Sequence, residues 1–187
     1  MIFIGIGANL PSDVYGPPRA ACGAALCLLE QWQVRIVSRS RWLTTAPVPA
    51  MDQPWYVNGV VHVSTDLPPQ ALMETLLGIE TSLGRRRGEK NASRVLDLDI
   101  VAYDDLVMQP DPGSDTGIVI PHPRMTERAF VLRPLAELSP EWRHPATRQT
   151  VSELLAELPT DQETQIMADA DGRFGTEWHD KSNDSES

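Results

Sequence analysis

The sequence predicts one α/β (α+β) domain, a ferredoxin-like β-α-β-β-α-β sheet covered by helices, with extra helices appended towards the C-terminus. Three observations predict it. A chain of 187 residues is of the size that a single hydrophobic core serves. Segments of period 2 and period 3.6 succeed one another in the order strand, helix, strand, strand, helix, strand. No repeat of 20 to 50 residues interrupts that order, which sets aside solenoids and propellers.

The first strand is residues 2 to 8, apolar and β-branched with interspersed glycine, and Asn9-Leu10-Pro11-Ser12-Asp13 ends it as a loop. From about Arg19 to Trp32 good helix formers carry an apolar stripe at helical spacing, which suits a helix lying on one sheet face. Residues 34 to 44 alternate as a strand, with Val34, Ile36, Ser38, Ser40 and Trp42 on one side. Three prolines in 46 to 54 exclude regular structure there, because each removes a donor and fixes φ. Tyr56 to Thr65 returns to strand character, and Pro68-Pro69 and Gly84 bracket a second helix over 69 to 83. After a polar, basic stretch the alternating strand Val95 to Tyr103 follows, then a loop rich in Asp, Pro and Gly, and helices near 126 to 138 and 150 to 158. The domain is expected to span 1–159. From Thr160 to Ser187 the chain turns acidic and polar and is expected to be a disordered tail, unable to offset its ordering entropy.

Composition narrows the function. A net charge of −10 argues against nucleic acid, whose backbone is bound by clustered Lys and Arg. No apolar run approaches the roughly 20 residues that cross a bilayer, and the N-terminal segment has neither a basic n-region nor a cleavage site, so a cytoplasmic location is expected. Cys22 and Cys27 lie on one apolar stretch without metal or redox spacing, as reduced core thiols would.

The stretch Leu96-Asp97-Leu98-Asp99-Ile100-Val101 carries the strongest chemical signal. In a strand, i and i+2 share a face, so Asp97 and Asp99 project together, about 7 Å apart, while Leu96, Leu98 and Ile100 enter the core. Two such carboxylates suit a pair of hard cations that clamp phosphoryl oxygens, although a solvent-facing alternation produces the same pattern. Just upstream, Arg85, Arg86, Arg87, Lys90 and Arg94 form a basic cluster in an otherwise acidic chain. Guanidinium forks match phosphate, and cluster and acidic pair together favour a polyphosphate with Mg²⁺ over a merely solvated loop. The P-loop pattern is absent, and Gly5-Ile6-Gly7-Ala8-Asn9-Leu10 lacks the third glycine of a dinucleotide fingerprint; these glycines suit close approach of a neighbouring backbone or a ligand.

Five blocks, the opening Gly5-Ile6-Gly7-Ala8-Asn9-Leu10 strand, TAPVPAMDQPWYVNGV, IETSLGRRR, RVLDLDIV and IPHPRMTERAFVLRPL, together resemble the 6-hydroxymethyl-7,8-dihydropterin pyrophosphokinases of folate biosynthesis, over about residues 2 to 145. The resemblance implies a ferredoxin-like fold, ATP as co-substrate, two Mg²⁺ ions, and transfer of pyrophosphate to the pterin hydroxymethyl group with release of AMP. It implies that Asp97 and Asp99 hold both ions. Tyr56 and Phe130 would sandwich the pterin ring, with Asn58 and backbone groups of Thr45 and Val48 on its edge. Glu80, Arg85, Arg87, Arg94, His122 and Arg128 would lie around ATP, with Arg85 and Arg94 also catalytic. The partners are then small molecules, with no nucleic acid or membrane, and the chain is expected to be a monomer. Arg85 to Ser93 is expected to close over bound ligands. Where the family commonly has Arg-Trp-Gly-Pro-Arg this chain has Lys90-Asn91-Ala92-Ser93-Arg94, so Asn91 replaces the loop Trp. Ala46 replaces a common Pro, and Gly117 and Val119 replace residues that are polar in some members. A catalytically silent module of the same fold, binding nucleotide or pterin, is the alternative these departures allow.

Overall fold

A computed structural model describes residues 1–48, 52–84, 94–110 and 117–179. The elements are β1 (Ile2–Ala8), α1 (Pro18–Gln31), β2 (Arg35–Arg39), β3 (Leu43–Thr45), β4 (Tyr56–Ser64), α2 (Pro69–Ser82), β5 (Asp97–Tyr103), α3 (Ala129–Leu138), α4 (Val151–Ala156) and β6 (Thr164–Ile166). The six strands form one antiparallel sheet of order β5-β1-β4-β3-β6, with β2 also paired to β4. This is the ferredoxin-like order read from the sequence. Among the described residues, no helix is long and apolar enough to cross a membrane.

Helices cover both sheet faces. The larger core joins Ile2, Ile4 and Ile6 of β1 to Leu98 and Ile100 of β5 and to Leu26, Leu29, Leu72, Leu76 and Ile79 of α1 and α2. The smaller core joins Phe3, Val60 and Val101 on the opposite face to Leu132 and Leu135 of α3 and to Val151 and Leu154 of α4. Being central and covered on both faces, β1 is apolar at nearly every position instead of alternating. Cys22 and Cys27 are buried free thiols of α1, and burial pushes Cys22 up to about 12.

The structure differs from the sequence reading in two places. The strand expected over 34 to 44 is broken into β2 and β3, with a register shift between Ile36 and Ser38. Ser40 bridges the break: its N–H donates to Val60 O at 3.0 Å and its hydroxyl accepts from Val60 N at 3.1 Å. Beyond the break the Trp42 ring lies over Gly59, where a Cβ would come within 2.9 Å of it.

The second difference is the tail. Residues 160–179 are folded onto the domain, and no boundary falls at Thr160. β6 pairs with β3, Trp42 Nε1 donates to Phe174 O at 2.9 Å, and Arg19 forms a two-pronged ion pair with Glu177 at 2.5 and 2.9 Å. Thr176 is fully buried, and with Trp178 it fills the space that a side chain at Gly23 of α1 would need. Average composition hid this because three residues, Met167, Phe174 and Trp178, supply the apolar area that packs on the core. Residues 180–187 of the expected tail lie outside the described residues.

Candidate active site

The two faces of the sheet have different ends. On the α3 side, Phe3, Val60 and Val101 are packed under α3, but two and four residues beyond Phe3 on β1 come Gly5 and Gly7. The register sets Gly7 between Asp97 of β5 and Asn58 of β4, and Gly5 between Asp99 and Val60. Two missing side chains on the central strand lower the floor of the sheet where its neighbours bear polar groups. A cavity of about 310 Å³ results, within the range of small-molecule sites.

Its lining includes Thr45, Val48, Tyr56, Asn58, Arg94, Asp97, Asp99, His122, Arg128 and Phe130, all named from the sequence. Asn58 is held by donating from Nδ2 to Thr45 Oγ1 at 2.7 Å. A Cβ at Gly7 would lie 2.7 Å from Asn58 Oδ1, so glycine there is required for the amide to lie flat on β1. Tyr56 lies on β4 two residues before Asn58, opposite Thr45 of β3, and its hydroxyl donates weakly to Gln53 Oε1 at 3.4 Å. Phe130, in the first turn of α3, is partly buried and carries the Arg128 guanidinium 5.3 Å above its ring centre. The ring therefore both packs on the smaller core and faces the cavity.

Charge is concentrated along β5 and the segment after it. Arg94 is ion-paired to Asp97. Burial disfavours the Arg94 cation, yet Asp97, Asp99 and Glu80 outweigh it and hold its pKa above the ordinary guanidinium value. For Arg128 the balance reverses: burial and the neighbouring Arg124 push it down, against the attraction of Asp99 and Asp97. His122 is placed by the segment bonded to β5 through His122 N and Val101 O at 2.9 Å. Its Nδ1 accepts from Arg124 N at 3.1 Å, which leaves the proton of the neutral ring on Nε2, 3.7 Å from Asp99 Oδ2. Burial, then Arg128 and Arg124, lower its pKa to about 4, so at neutral pH it is an uncharged donor facing Asp99.

Glu80 differs from the expectation. It is fully buried in α2 on the far side of β5, where Oε1 accepts from Leu98 N at 2.7 Å. It supports the strand from behind and does not line the cavity. Arg85 and Arg87, and the rest of the loop to Ser93, lie outside the described residues. Two polar lining residues were not assigned from the sequence. Arg124 adds a third cation beside Arg94 and Arg128; its signal was a basic residue two positions beyond His122. Gln53 was visible only as part of a proline-rich loop. Asn9, buried at the end of β1, ties two walls together: Oδ1 accepts from Arg94 N at 2.8 Å and Nδ2 donates to Pro54 O at 3.1 Å.

Asp97 and Asp99 suit a hard cation. They present carboxylate oxygens from one strand face, with no sulfur ligand beside them, and no group of three or more His, Cys, Asp or Glu forms a closed cage among the described residues. Mg²⁺ is commonly held this way, by one or two carboxylates with water and substrate phosphate completing its shell.

An antiparallel α/β sheet whose cleft joins an acidic pair, three cations and two aromatic rings defines the class: a ferredoxin-like protein with a charged and aromatic cleft at one end of its sheet. Solved structures of the bifunctional HPPK-DHPS of Plasmodium falciparum share the fold, with a TM-score of 0.67 at 14% identity over 83% of this chain and 42% of the longer one. The model of the 7,8-dihydro-6-hydroxymethylpterin-pyrophosphokinase family matches residues 3–140. Relatives named 2-amino-4-hydroxy-6-hydroxymethyldihydropteridine pyrophosphokinase include one from Methylorubrum extorquens, 36% identical over 83% of this chain and 92% of its own length. Another, from Pseudomonas aeruginosa, is 36% identical over 84% and 91%. The chain belongs to the 7,8-dihydro-6-hydroxymethylpterin-pyrophosphokinase family.

Proposed function

We propose that the chain transfers pyrophosphate from ATP to the hydroxymethyl group of 6-hydroxymethyl-7,8-dihydropterin, giving the pterin diphosphate and AMP, a step of folate biosynthesis. The observation that carries this reading is the meeting of Asp97, Asp99, Arg94, Arg128 and His122 with Tyr56, Asn58 and Phe130 in one cavity, in a chain of this family. The hydroxymethyl oxygen attacks the β-phosphorus of ATP, the bond from that phosphorus to the α,β-bridging oxygen breaks, and AMP leaves with the bridging oxygen. The hydroxyl proton passes to solvent; no side chain needs to act as a unique base. Catalysis of this kind rests on positioning and on charge neutralisation.

Tyr56 and Phe130 hold the flat ring, and Asn58, with its plane fixed by Thr45, reads the ring edge beside backbone groups of Thr45 and Val48. Arg94 and Arg128 meet the triphosphate, and the neutral Nε2–H of His122 donates to a phosphoryl oxygen without adding charge. Arg85 and Arg87 complete the cationic set, Arg85 with a catalytic share. Asp97 and Asp99 would hold two Mg²⁺ ions, which would supply neutralisation of the phosphates and polarisation of the phosphorus under attack. Glu80 supports β5 and reaches the nucleotide only through it. The chain acts as a cytoplasmic monomer. The test is direct: with Mg²⁺, ATP and the pterin alcohol, AMP and the pterin diphosphate form in equal amounts. Absence of AMP above blank sinks the reading.

A further inference from the structure

The first turn of α3 carries Arg128 and Phe130, yet this helix has no local side-chain cap. Its first amides lack intrahelical partners, and at a cleft wall such groups need another source of acceptors. That source is Gln162, more than thirty residues away and beyond the segment matched by the family model. Gln162 Oε1 accepts from Ala129 N at 2.8 Å, and Gln162 Nε2 donates to Glu127 O at 2.8 Å. The two contacts flank Arg128 on both sides. A carboxamide supplies an acceptor and a donor side by side in one plane, as bridging these two backbone groups requires.

Gln162 is itself anchored. Glu163 O accepts from Ala46 N at 3.3 Å, and β6 then pairs with β3 from Thr45↔Thr164 to Leu43↔Ile166. Arg133 of α3 donates to Thr164 Oγ1. Residues 162–166 therefore join the wall formed by Thr45 and Ala46 to the opposite wall formed by Arg128 and Phe130, both of which line the cavity. We propose that Gln162 is a positioning residue that fixes the backbone at Arg128, and so sets the Arg128 guanidinium and the Phe130 ring for nucleotide and pterin. The inference rests on the functional reading above for the identity of the ligands, and on the hydrogen bonds alone for the clamp.

The experiment compares Gln162→Ala and Gln162→Glu with Asp169→Ala, in the full chain. Asp169 lies in the same C-terminal segment but pairs with Arg39 of β2, away from the cavity. A non-hydrolysable ATP analogue with Mg²⁺, and the pterin alcohol separately, are titrated by calorimetry, and melting temperatures are recorded. Gln162→Ala is expected to weaken analogue binding by about tenfold, equivalent to about 1.4 kcal/mol, and to weaken pterin binding as well. In turnover it raises KM more than it lowers kcat. Gln162→Glu keeps the acceptor for Ala129 N but loses the donor to Glu127 O, and falls between. Asp169→Ala leaves both affinities unchanged. On an Arg128→Ala background, Gln162→Ala is expected to cost no further analogue affinity, because the residue it positions is gone. Unchanged affinity in Gln162→Ala, or a full additive loss on the Arg128→Ala background, overturns the proposal. If the wild-type chain binds these probes yet releases no AMP from ATP itself with Mg²⁺ and the pterin alcohol, the functional reading fails while the clamp is still decided by the analogue titration.

Discussion

Glu80→Ala is expected to damage the chain more than loss of a single surface carboxylate, because Glu80 is fully buried and accepts from Leu98 N at 2.7 Å. Leu98 is the residue between Asp97 and Asp99, so this one bond fixes the backbone from which both carboxylates project. Removing it strands a buried N–H, at about 1–3 kcal/mol, and removes a hydrogen bond to a charged group of about 1.5–3 kcal/mol. The two overlap, since both describe the same donor, and a total of about 3–4 kcal/mol is expected once the void is included. Glu80→Gln keeps an oxygen for Leu98 N and is expected to cost about half as much, the remainder being the lost attraction to Arg94. Urea unfolding gives the stability, and AMP release at saturating Mg²⁺ gives the effect on the acidic pair. If Glu80→Ala loses under 1 kcal/mol and keeps wild-type turnover, the support assigned to Glu80 from behind β5 is wrong.

Further outcomes can be stated as briefly. Asp97→Ala or Asp99→Ala is expected to lower turnover at least tenfold, about 1.4 kcal/mol of transition-state stabilisation, with the melting temperature kept or raised; steady-state AMP release and a thermal melt decide it. Gly7→Ala would set a Cβ 2.7 Å from Asn58 Oδ1, so it is expected to weaken pterin binding in calorimetry and cost about 1–3 kcal/mol in urea unfolding. Deleting residues after Thr160 removes β6, Phe174 and Trp178 from the folded domain; a loss of about 3–6 kcal/mol from the two partly buried aromatics is expected, against which an unchanged melting temperature would count. Because burial holds the Cys22 thiol near 12, a thiol reagent at pH 8 is expected to label it only as fast as the domain opens, with the rate rising steeply in urea.

The parts of this site that the sequence disclosed were those written in one strand or one short block. The i, i+2 spacing of Asp97 and Asp99 is a property of strands in general, and the structure keeps both on the cavity face while Leu98 and Ile100 enter the core. Tyr56, Asn58, His122 and Phe130 emerged through resemblance, and the register of three strands and a helix then brings them together. What was hidden depends on pairing between distant segments. Nothing in the polar run around Gln162 announces a cap for a helix that begins at Ala129, since the bond is set by β6 docking on β3. Acidic composition likewise masked a folded segment, because Phe174 and Trp178 count for little in an average and for much when Gly23 leaves room for them. Glu80 was placed at the nucleotide because its block carries the resemblance, although helical phase turns its side chain into the core.

The electrostatics of the cleft explain why rigid support matters here. Arg94, Arg124 and Arg128 share a small cavity, and the depressed pKa of Arg128 follows from burial with Arg124 beside it. Cations left in that state repel one another, and side chains free to move would swing apart into solvent. Two kinds of restraint oppose this. Asp97 holds Arg94 by an ion pair, and the Phe130 ring lies 5.3 Å beneath the Arg128 guanidinium. Backbone ties complete the restraint, with Asn9 on Arg94 and Gln162 on either side of Arg128. A polyanion entering the cleft then meets cations already in place and relieves their repulsion, so the energy stored in their assembly returns as affinity. His122 fits the same logic: kept neutral by burial and then by its cationic neighbours, it donates a hydrogen bond without adding to the repulsion. Part of fixing these groups before the ligand arrives is thus the work of Asn9 and Gln162, which do not line the cavity.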